Sequence, residues 1–491
     1  MPDTRLLDDL DREAEAFAEA SEREHYLNGS GQKDTLDLAP IYERHARLFA
    51  RETLDALAQA DHTDERFPEL RRLALEGFLE KSASAITDEI ALRETQDTIS
   101  WDGEQVPYRG VAPMVRNEPD PHRRHALERA LVEATAGQNP LRERRWDALY
   151  AQARALGYPH YRAMIEDVGR LDIGALCALV SRFLRETERT YRTQLARHLR
   201  AANIDPAQAE KSDLAFVLRQ SQFDRYFAAE TLVDVYQRTV AALALSPEAQ
   251  ARITLDVERR PKKSPRAFCA VPRIPDEVYL VISPQGGEYD YGAMFHEGGH
   301  AQHFAHTDAT LPFALRGLGD NSVTEGFAFV VEHIMASPEW LEQYVFMHDP
   351  TDYLAMQRFS RLYMFRRYAA KLLYESELHA AADVRGRQKR YADLLTAATG
   401  VRYAPEDYLA DVDDAYYAAR YLRAWIFDAQ VRALLRERFG AAWHESPEAG
   451  ALLASWWAHG QRYDAPALLA QMGLGGLDIA PLMRELLDSA A

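Results

Sequence analysis

The stretch Met294-Phe-His296-Glu297-Gly-Gly-His300-Ala-Gln-His303 contains two histidines four residues apart, with a glutamate directly after the first. On an α-helix a four-residue step turns the chain through about 400°, so His296 and His300 lie on one face, one turn apart. Their imidazoles can then bind one metal ion, and Glu297 can reach a water on that ion. The pattern predicts a zinc hydrolase site in which Glu297 is the general base.

A catalytic zinc site usually has three protein ligands, so the two histidines need a partner. His303 shares their face but lies about 10.5 Å along the helix axis from His296, so we expect it behind the ligands or in solvent. Glu325 follows His300 by 25 residues, near the start of the next predicted helix, and is the better candidate. Its alternative role is a capping box, Ser322-Val-Thr-Glu325, in which it binds the start of its own helix.

Three further features surround this pattern. Glu332 follows Glu325 by seven residues and shares its helix face, so it is either placed to orient a metal-binding histidine or simply exposed. Asp290 is positioned to cap the helix that carries the two histidines. Gly298 and Gly299 each cost a helix about 1 kcal/mol relative to alanine, so we expect another backbone or a substrate to pass close to them.

The composition restricts the class of protein. With 491 residues, 47% apolar and 27% charged, the chain can form a large globular core. A formal net charge of -18 disfavours nucleic acid and anionic membranes as partners, and no apolar run approaches the roughly 18 residues of a membrane span. Two cysteines and a start without a secretory pattern predict a cytoplasmic protein without a disulfide framework.

Helical spacing of apolar residues dominates the chain. The exceptions are an Asp-Gly turn within Thr98–Tyr108, interpreted as a small hairpin or an irregular connection, and two short strands at Arg266–Val271 and Val278–Ile282. We predict a mainly α protein with a small β-sheet beside the HExxH helix. Residues 1–250 are expected to form a helical N-terminal region and 251–491 the metal-binding region, within one compact unit.

The run Pro265-Arg-Ala-Phe-Cys269, the strand Val278–Ile282, Gly286-Gly287 and Phe295–His303 together resemble the thimet oligopeptidase / oligoendopeptidase F family of zinc metallopeptidases. In that family a glutamate 25 residues beyond the second histidine is the third ligand, and another glutamate usually follows seven residues later. The resemblance therefore implies one Zn²⁺ ion held by His296, His300 and Glu325. It also implies a large helical ellipsoid with a deep substrate channel, and hydrolysis of short peptides.

The resemblance implies two further roles. An extended peptide would add to the strand Val278–Ile282 by main-chain hydrogen bonds, which makes Val278 and Leu280 substrate-binding residues. Tyrosines on a late helix would donate to the oxyanion of the reaction. Tyr417 and Tyr421 share a helix face, and Arg420 beside them is expected to bind substrate. The histidine that usually precedes these tyrosines is absent, so which group donates is left open.

Other functions fit parts of the pattern. Helical metallocarboxypeptidases usually carry a His-Glu-Ser-Gln-Ser motif around the third ligand, whereas this chain reads Val323-Thr-Glu325-Gly-Phe-Ala. The pair Arg420-Tyr421 resembles angiotensin-converting-type dipeptidyl carboxypeptidases. A non-catalytic peptide-binding scaffold would be expected to lack Glu297 or a ligand, and all four residues are present. The leading prediction is a zinc-dependent oligopeptidase, with endo- or exopeptidase action and oligomeric state undetermined.

Overall fold

The computed structural model describes residues 5–487. Helices make up 68% of the structure and strands 5%, which confirms the mainly α prediction. The predicted regions that reach Met1 and Ala491 extend beyond the described residues. Within residues 5–487, no helix is both long and apolar enough to cross a membrane. Cys177 and Cys269 are free cysteines.

The α-helices range from 5 to 35 residues in length. The first eleven are α1 (Arg5–Gly29), α2 (Ala39–Arg44), α3 (Arg51–Leu57), α4 (Phe67–Gln96), α5 (Tyr108–Asn117), α6 (Pro121–Ala155), α7 (Tyr161–Val168), α8 (Ile173–Ala201), α9 (Lys211–Val217), α10 (Leu232–Ala242) and α11 (Pro247–Ala251). The others are α12 (Glu288–Ala305), α13 (Phe313–Gly317), α14 (Asn321–Glu332), α15 (Pro338–Val345), α16 (Thr351–His379), α17 (Gln388–Thr399), α18 (Tyr417–Phe439), α19 (Pro447–Trp457), α20 (Ala465–Gln471) and α21 (Ala480–Leu487). Short 3₁₀ helices lie at Ala46–Phe49, Ser221–Tyr226, His333–Ala336, Pro405–Tyr408, Asp414–Tyr416 and Trp443–Glu445.

The strands form two small sheets. The strands β1 (Thr98–Trp101) and β2 (Glu104–Pro107) pair antiparallel, so of the two interpretations of this stretch the structure shows the hairpin. The second sheet contains β3 (Ile253–Asp256), β4 (Phe268–Arg273) and β5 (Glu277–Val281), in the spatial order β3-β5-β4. Here β4 pairs antiparallel with β5, and β3 pairs parallel with it. The sequence pattern predicted β4 and β5 but missed β3, which is only four residues long.

The order of this sheet corrects one prediction. The strand β5 has a neighbour on each side, so it offers no free edge to a peptide, and Val278 and Leu280 are fully buried. The prediction that these two residues bind substrate along an open edge is therefore wrong. Strand pairing leaves β4 with a neighbour on one side only, because β3 occupies the other side of β5.

The chain divides into two compact units that alternate along the sequence. The first unit comprises 5–77, 221–354 and 423–485, and the second comprises 78–220, 355–422 and 486–487. These boundaries differ from the predicted division at residue 250. The N-terminal helix α1 belongs with the HExxH helix α12, whereas the start of α18 belongs with α6 and α8.

The core of the first unit surrounds α12. Tyr291, Met294 and Phe295 on this helix are fully buried. A Cβ atom at Gly299 would lie 2.6 Å from the Cα atom of Ala328 on α14, and one at Gly298 would lie 2.3 Å from the ring of Tyr236. The glycine pair thus permits α14 and α10 to pack directly against α12, which confirms the predicted close approach of another backbone.

Candidate metal centre

Two helices of the first unit bring three candidate ligands together. The Oε2 atom of Glu325 on α14 lies 3.3 Å from Nε2 of His296 and 3.8 Å from Nε2 of His300, both on α12. The two imidazole rings are 5.0 Å apart and nearly perpendicular. One donor atom from each residue lies within 4.8 Å of the other two, and all three side chains are buried or half-buried. The residues predicted as ligands therefore converge on one point.

This donor set fits a zinc ion. Zinc binds imidazole nitrogen at about 2.0–2.1 Å and carboxylate oxygen at about 2.0–2.2 Å, usually in a tetrahedron. Two ligand atoms of such a tetrahedron are about 3.3 Å apart, close to the distances between Glu325 and the two histidines. A His₂Glu set leaves the fourth position for a water, as catalytic zinc sites do.

The far nitrogen of each imidazole is held by a residue of α14. Nδ1 of His296 lies 2.9 Å from Oε2 of Glu332, and Nδ1 of His300 lies 2.8 Å from Oγ1 of Thr324. When each Nδ1–H donates to its oxygen, the lone pair of Nε2 points toward Glu325. Glu332 occupies the orienting position expected from its spacing. Thr324 was missed, because a threonine beside a candidate ligand has no distinguishing spacing of its own.

The start of α14 decides between the two roles considered for Glu325. The N-cap residue is Asp320, whose side chain accepts a hydrogen bond from the backbone N–H of Ser322. Ser322 is therefore already within the helix, so the predicted capping box, with Ser322 as the cap and Glu325 as its partner, does not form. The carboxylate of Glu325 faces the two histidines instead.

The protonation of the cluster follows from its burial. Burial lowers the pKa of His300 to about 4, so this imidazole is neutral at pH 7, as a metal ligand must be. Burial also lowers the pKa of His296, but Glu325 and Glu332 outweigh this effect and raise its pKa well above the ordinary value. Positive charge is therefore favoured between these carboxylates, and a bound cation would supply it in place of the proton.

Glu297 lies beside the ligands and is fixed by the sheet. Its Oε2 atom accepts a hydrogen bond of 3.0 Å from the backbone N–H of Cys269 on β4. Burial raises the pKa of Glu297 to about 7, although His296 and the Cys269 amide act in the opposite direction. A carboxyl group with such a pKa can accept and return a proton near neutral pH.

Two predicted neighbours of the metal have other contacts. His303 is fully buried, and its Nε2 atom lies 3.1 Å from the carbonyl oxygen of Gly460. It is therefore neither solvated nor hydrogen-bonded to a candidate ligand. Asp290 is not the N-cap of α12, since Gly287 holds that position. Its carboxylate accepts hydrogen bonds from the backbone of the preceding turn, including one of 2.9 Å from Gly286.

The predicted oxyanion donors lie in the second unit, at the start of α18. The rings of Tyr417 and Tyr421 are 4.9 Å apart, which confirms that they share a helix face. The ring of Tyr421 stacks on that of Tyr368 at 5.4 Å, and Arg420 is buried. The roles of Tyr417, Arg420 and Tyr421 in the reaction stay predictions.

Comparison with known proteins assigns no family and no function to this chain. The chain matches no protein-family model, and no curated protein matches it. A functional conclusion about this chain therefore depends on its own residues and their arrangement.

Proposed function

We propose that this chain is a zinc-dependent metallopeptidase that hydrolyses short peptides. The observation that supports this proposal is the convergence of His296, His300 and Glu325 beside the half-buried carboxylate of Glu297. Three neutral or anionic ligands with an adjacent general base form the arrangement that zinc-dependent hydrolysis of an amide requires. When bound, zinc supplies the Lewis acidity that activates a water and polarises a carbonyl group.

The residues of the chain perform the proton transfers. Glu297 accepts a proton as the water oxygen forms a bond to the scissile carbonyl carbon. It then gives this proton to the leaving nitrogen as the C–N bond breaks, so the products are a carboxylic acid and an amine. The Cys269 amide holds the carboxylate in place, and Thr324 and Glu332 keep the two imidazoles oriented.

The unpaired side of β4 is the proposed site for the substrate backbone. The backbone N–H groups of Cys269 and Val271 point away from β5, and each donates to a carboxylate rather than to another strand. Because these two amides are already engaged, a peptide on this side of β4 would meet the carboxylates of Glu297 and Glu22 rather than free N–H groups. Because the Cys269 amide contacts Glu297, a peptide on this edge would lie beside the general base.

Metal analysis combined with product mapping tests the proposal. The purified chain should bind one zinc ion and cleave a mixture of unblocked peptides, with products identified by mass spectrometry. Glu297→Gln should keep the zinc and lose hydrolysis, whereas Glu325→Ala should lose most of the zinc. Glu288→Gln, on the same helix but outside the cluster, serves as the control. Undiminished turnover in Glu297→Gln, or full zinc retention in Glu325→Ala, would contradict the proposal.

A further inference from the structure

A second carboxylate besides that of Glu297 contacts β4 on the side that pairs with no strand. Oε2 of Glu22, on α1, accepts a hydrogen bond of 3.3 Å from the backbone N–H of Val271. The backbone amides of Cys269 and Val271, two residues apart on β4, thus donate to Glu297 and Glu22 respectively. Burial raises the pKa of the Cys269 thiol, and the carboxylates of Glu297 and Glu22 raise it further.

Glu22 differs from the other acids on its helix face. Glu15 pairs with Arg316 at 2.7 Å, and Glu19 pairs with Arg23 at 3.1 Å. Glu22, in contrast, forms no ion pair with any residue in the described part of the chain. A partly buried carboxylate without a cationic partner favours binding of a positively charged group that belongs to a ligand.

The position of Glu22 is fixed by its neighbours on α1. Arg23 forms two hydrogen bonds with Glu277 on β5, of 2.7 and 2.8 Å. The ring of Tyr26 stacks on that of Tyr279 at 3.7 Å, also on β5. These contacts hold α1 against the sheet, so Glu22 is a preorganised group at the edge and not a mobile surface side chain.

We infer that Glu22 binds the free α-amino group of the substrate, so that the enzyme releases dipeptides from the amino ends of short peptides. This inference rests on the proposed function. The amides that hold Glu297 and Glu22 are two residues apart on β4, where the register shifts after Ala270, so they lie no more than about 7 Å from each other. In an extended peptide, two residues also span about 7 Å from the α-nitrogen to the nitrogen of the third residue. If Glu22 holds the first nitrogen, the third nitrogen lies beside Glu297, which protonates the leaving group.

A pair of peptides tests the inference. Both have the same eight-residue sequence without lysine or arginine, one with a free and one with an acetylated amino terminus. The zinc-loaded chain should release the first two residues of the free peptide, with a kcat/KM at least tenfold higher than for the acetylated peptide. Glu22→Gln, which keeps an acceptor for Val271 but loses the charge, should reduce this ratio to about one. Glu19→Gln, on the same helix, should keep the ratio of the unaltered chain.

Zinc content and circular dichroism of all variants establish that metal binding and folding are unchanged. Dissociation constants of both peptides, measured by calorimetry in a Glu297→Gln background with and without Glu22→Gln, give a second readout that does not depend on turnover. Equal cleavage of the two peptides by the unaltered chain, or an unchanged ratio in Glu22→Gln, would overturn the inference and leave the proposed peptidase function intact. If the chain cleaved neither of the two peptides and no peptide of the mixture, both the inference and the proposed peptidase function would be overturned.

Discussion

Nδ1 of His300 lies 2.8 Å from Oγ1 of Thr324, the residue directly before the candidate ligand Glu325. A single turn of α14 therefore contains one candidate ligand and the hydroxyl that contacts another. The second histidine is oriented differently, because Nδ1 of His296 contacts the carboxylate of Glu332 at 2.9 Å. One imidazole is thus supported by a neutral hydroxyl and the other by a negative charge, and the two supports can be tested separately.

Thr324→Val removes the hydroxyl while keeping the shape of the side chain. We expect zinc affinity to fall by about 10- to 100-fold, since such supporting hydrogen bonds fix the orientation of a ligating imidazole. Thr324→Ser keeps the hydroxyl and should bind zinc nearly as the unaltered chain does. Competition with a chromophoric chelator measures both affinities. Equal zinc affinity of the valine and serine variants would show that Thr324 has no role in orienting His300.

Glu332 allows a test of charge against hydrogen bonding. Glu332→Ala removes both and should weaken zinc binding by about 10- to 100-fold. Glu332→Gln keeps an acceptor for His296 and should cost less, about tenfold or below. The same chelator competition separates the two effects. If the alanine variant binds zinc as tightly as the unaltered chain, the contact between His296 and Glu332 does not support the site.

Gly299→Ala should destabilise the fold because the new Cβ atom would lie 2.6 Å from the backbone of Ala328. Overpacking of this kind typically costs about 1–3 kcal/mol in the free energy of unfolding. Gly292 lies on the same helix, and a Cβ atom added there would have no heavy atom of a neighbouring segment within 4 Å. Gly292→Ala should therefore stabilise the fold by up to about 1 kcal/mol. Urea denaturation of the two variants measures the difference. Similar stabilities would mean that α12 and α14 can separate at little cost.

Glu375 provides a pH-dependent prediction in the second unit. Burial raises its pKa to about 8, an effect that Asp413 strengthens and Lys371 opposes. The folded chain therefore keeps a proton on this carboxyl that the unfolded chain releases near its ordinary pKa of 4.5. The contribution of this proton to stability is complete below pH 4.5 and is lost as the pH rises toward 8.

Glu375→Gln mimics the protonated side chain at every pH. We expect it to match the stability of the unaltered chain near pH 5 and to exceed it by a few kcal/mol at pH 9, because only the unaltered chain must bury a charge there. Thermal unfolding at both pH values measures this difference. A constant difference between the two proteins from pH 5 to pH 9 would exclude Glu375 as the titrating group.

The sequence predicted the parts of the site that local spacing controls. A four-residue interval places His296 and His300 on one helix face, because the helical repeat is fixed by the backbone. The hairpin at Asp102-Gly103 was predicted for a similar reason, since both residues adopt positive φ in the turn. The glycine pair also indicated a close approach, because each glycine costs helical stability that only packing can offset.

Contacts between segments that are distant in sequence decided the features that local spacing does not control. Glu325 had two possible roles in the sequence. The N-cap at Asp320 excludes the capping box, and the packing of α14 on α12 places the Glu325 carboxylate beside His296. The strand β5 was predicted to be an edge strand, whereas in the structure the short strand β3 pairs with its other side. Glu22 stands 249 residues before Val271, and no spacing rule could have connected them.

The sequence by itself thus determined the helical class, the HExxH helix and the position of His296 and His300 on one face of it, because these depend on residue type and on the periodicity of a helix. Only the tertiary structure decided which oxygen atoms orient His296 and His300, which strand is open, and which carboxylate lies along it. Those relationships arise when buried surfaces of separate segments pack together, and the free energy of that packing is not contained in any one segment.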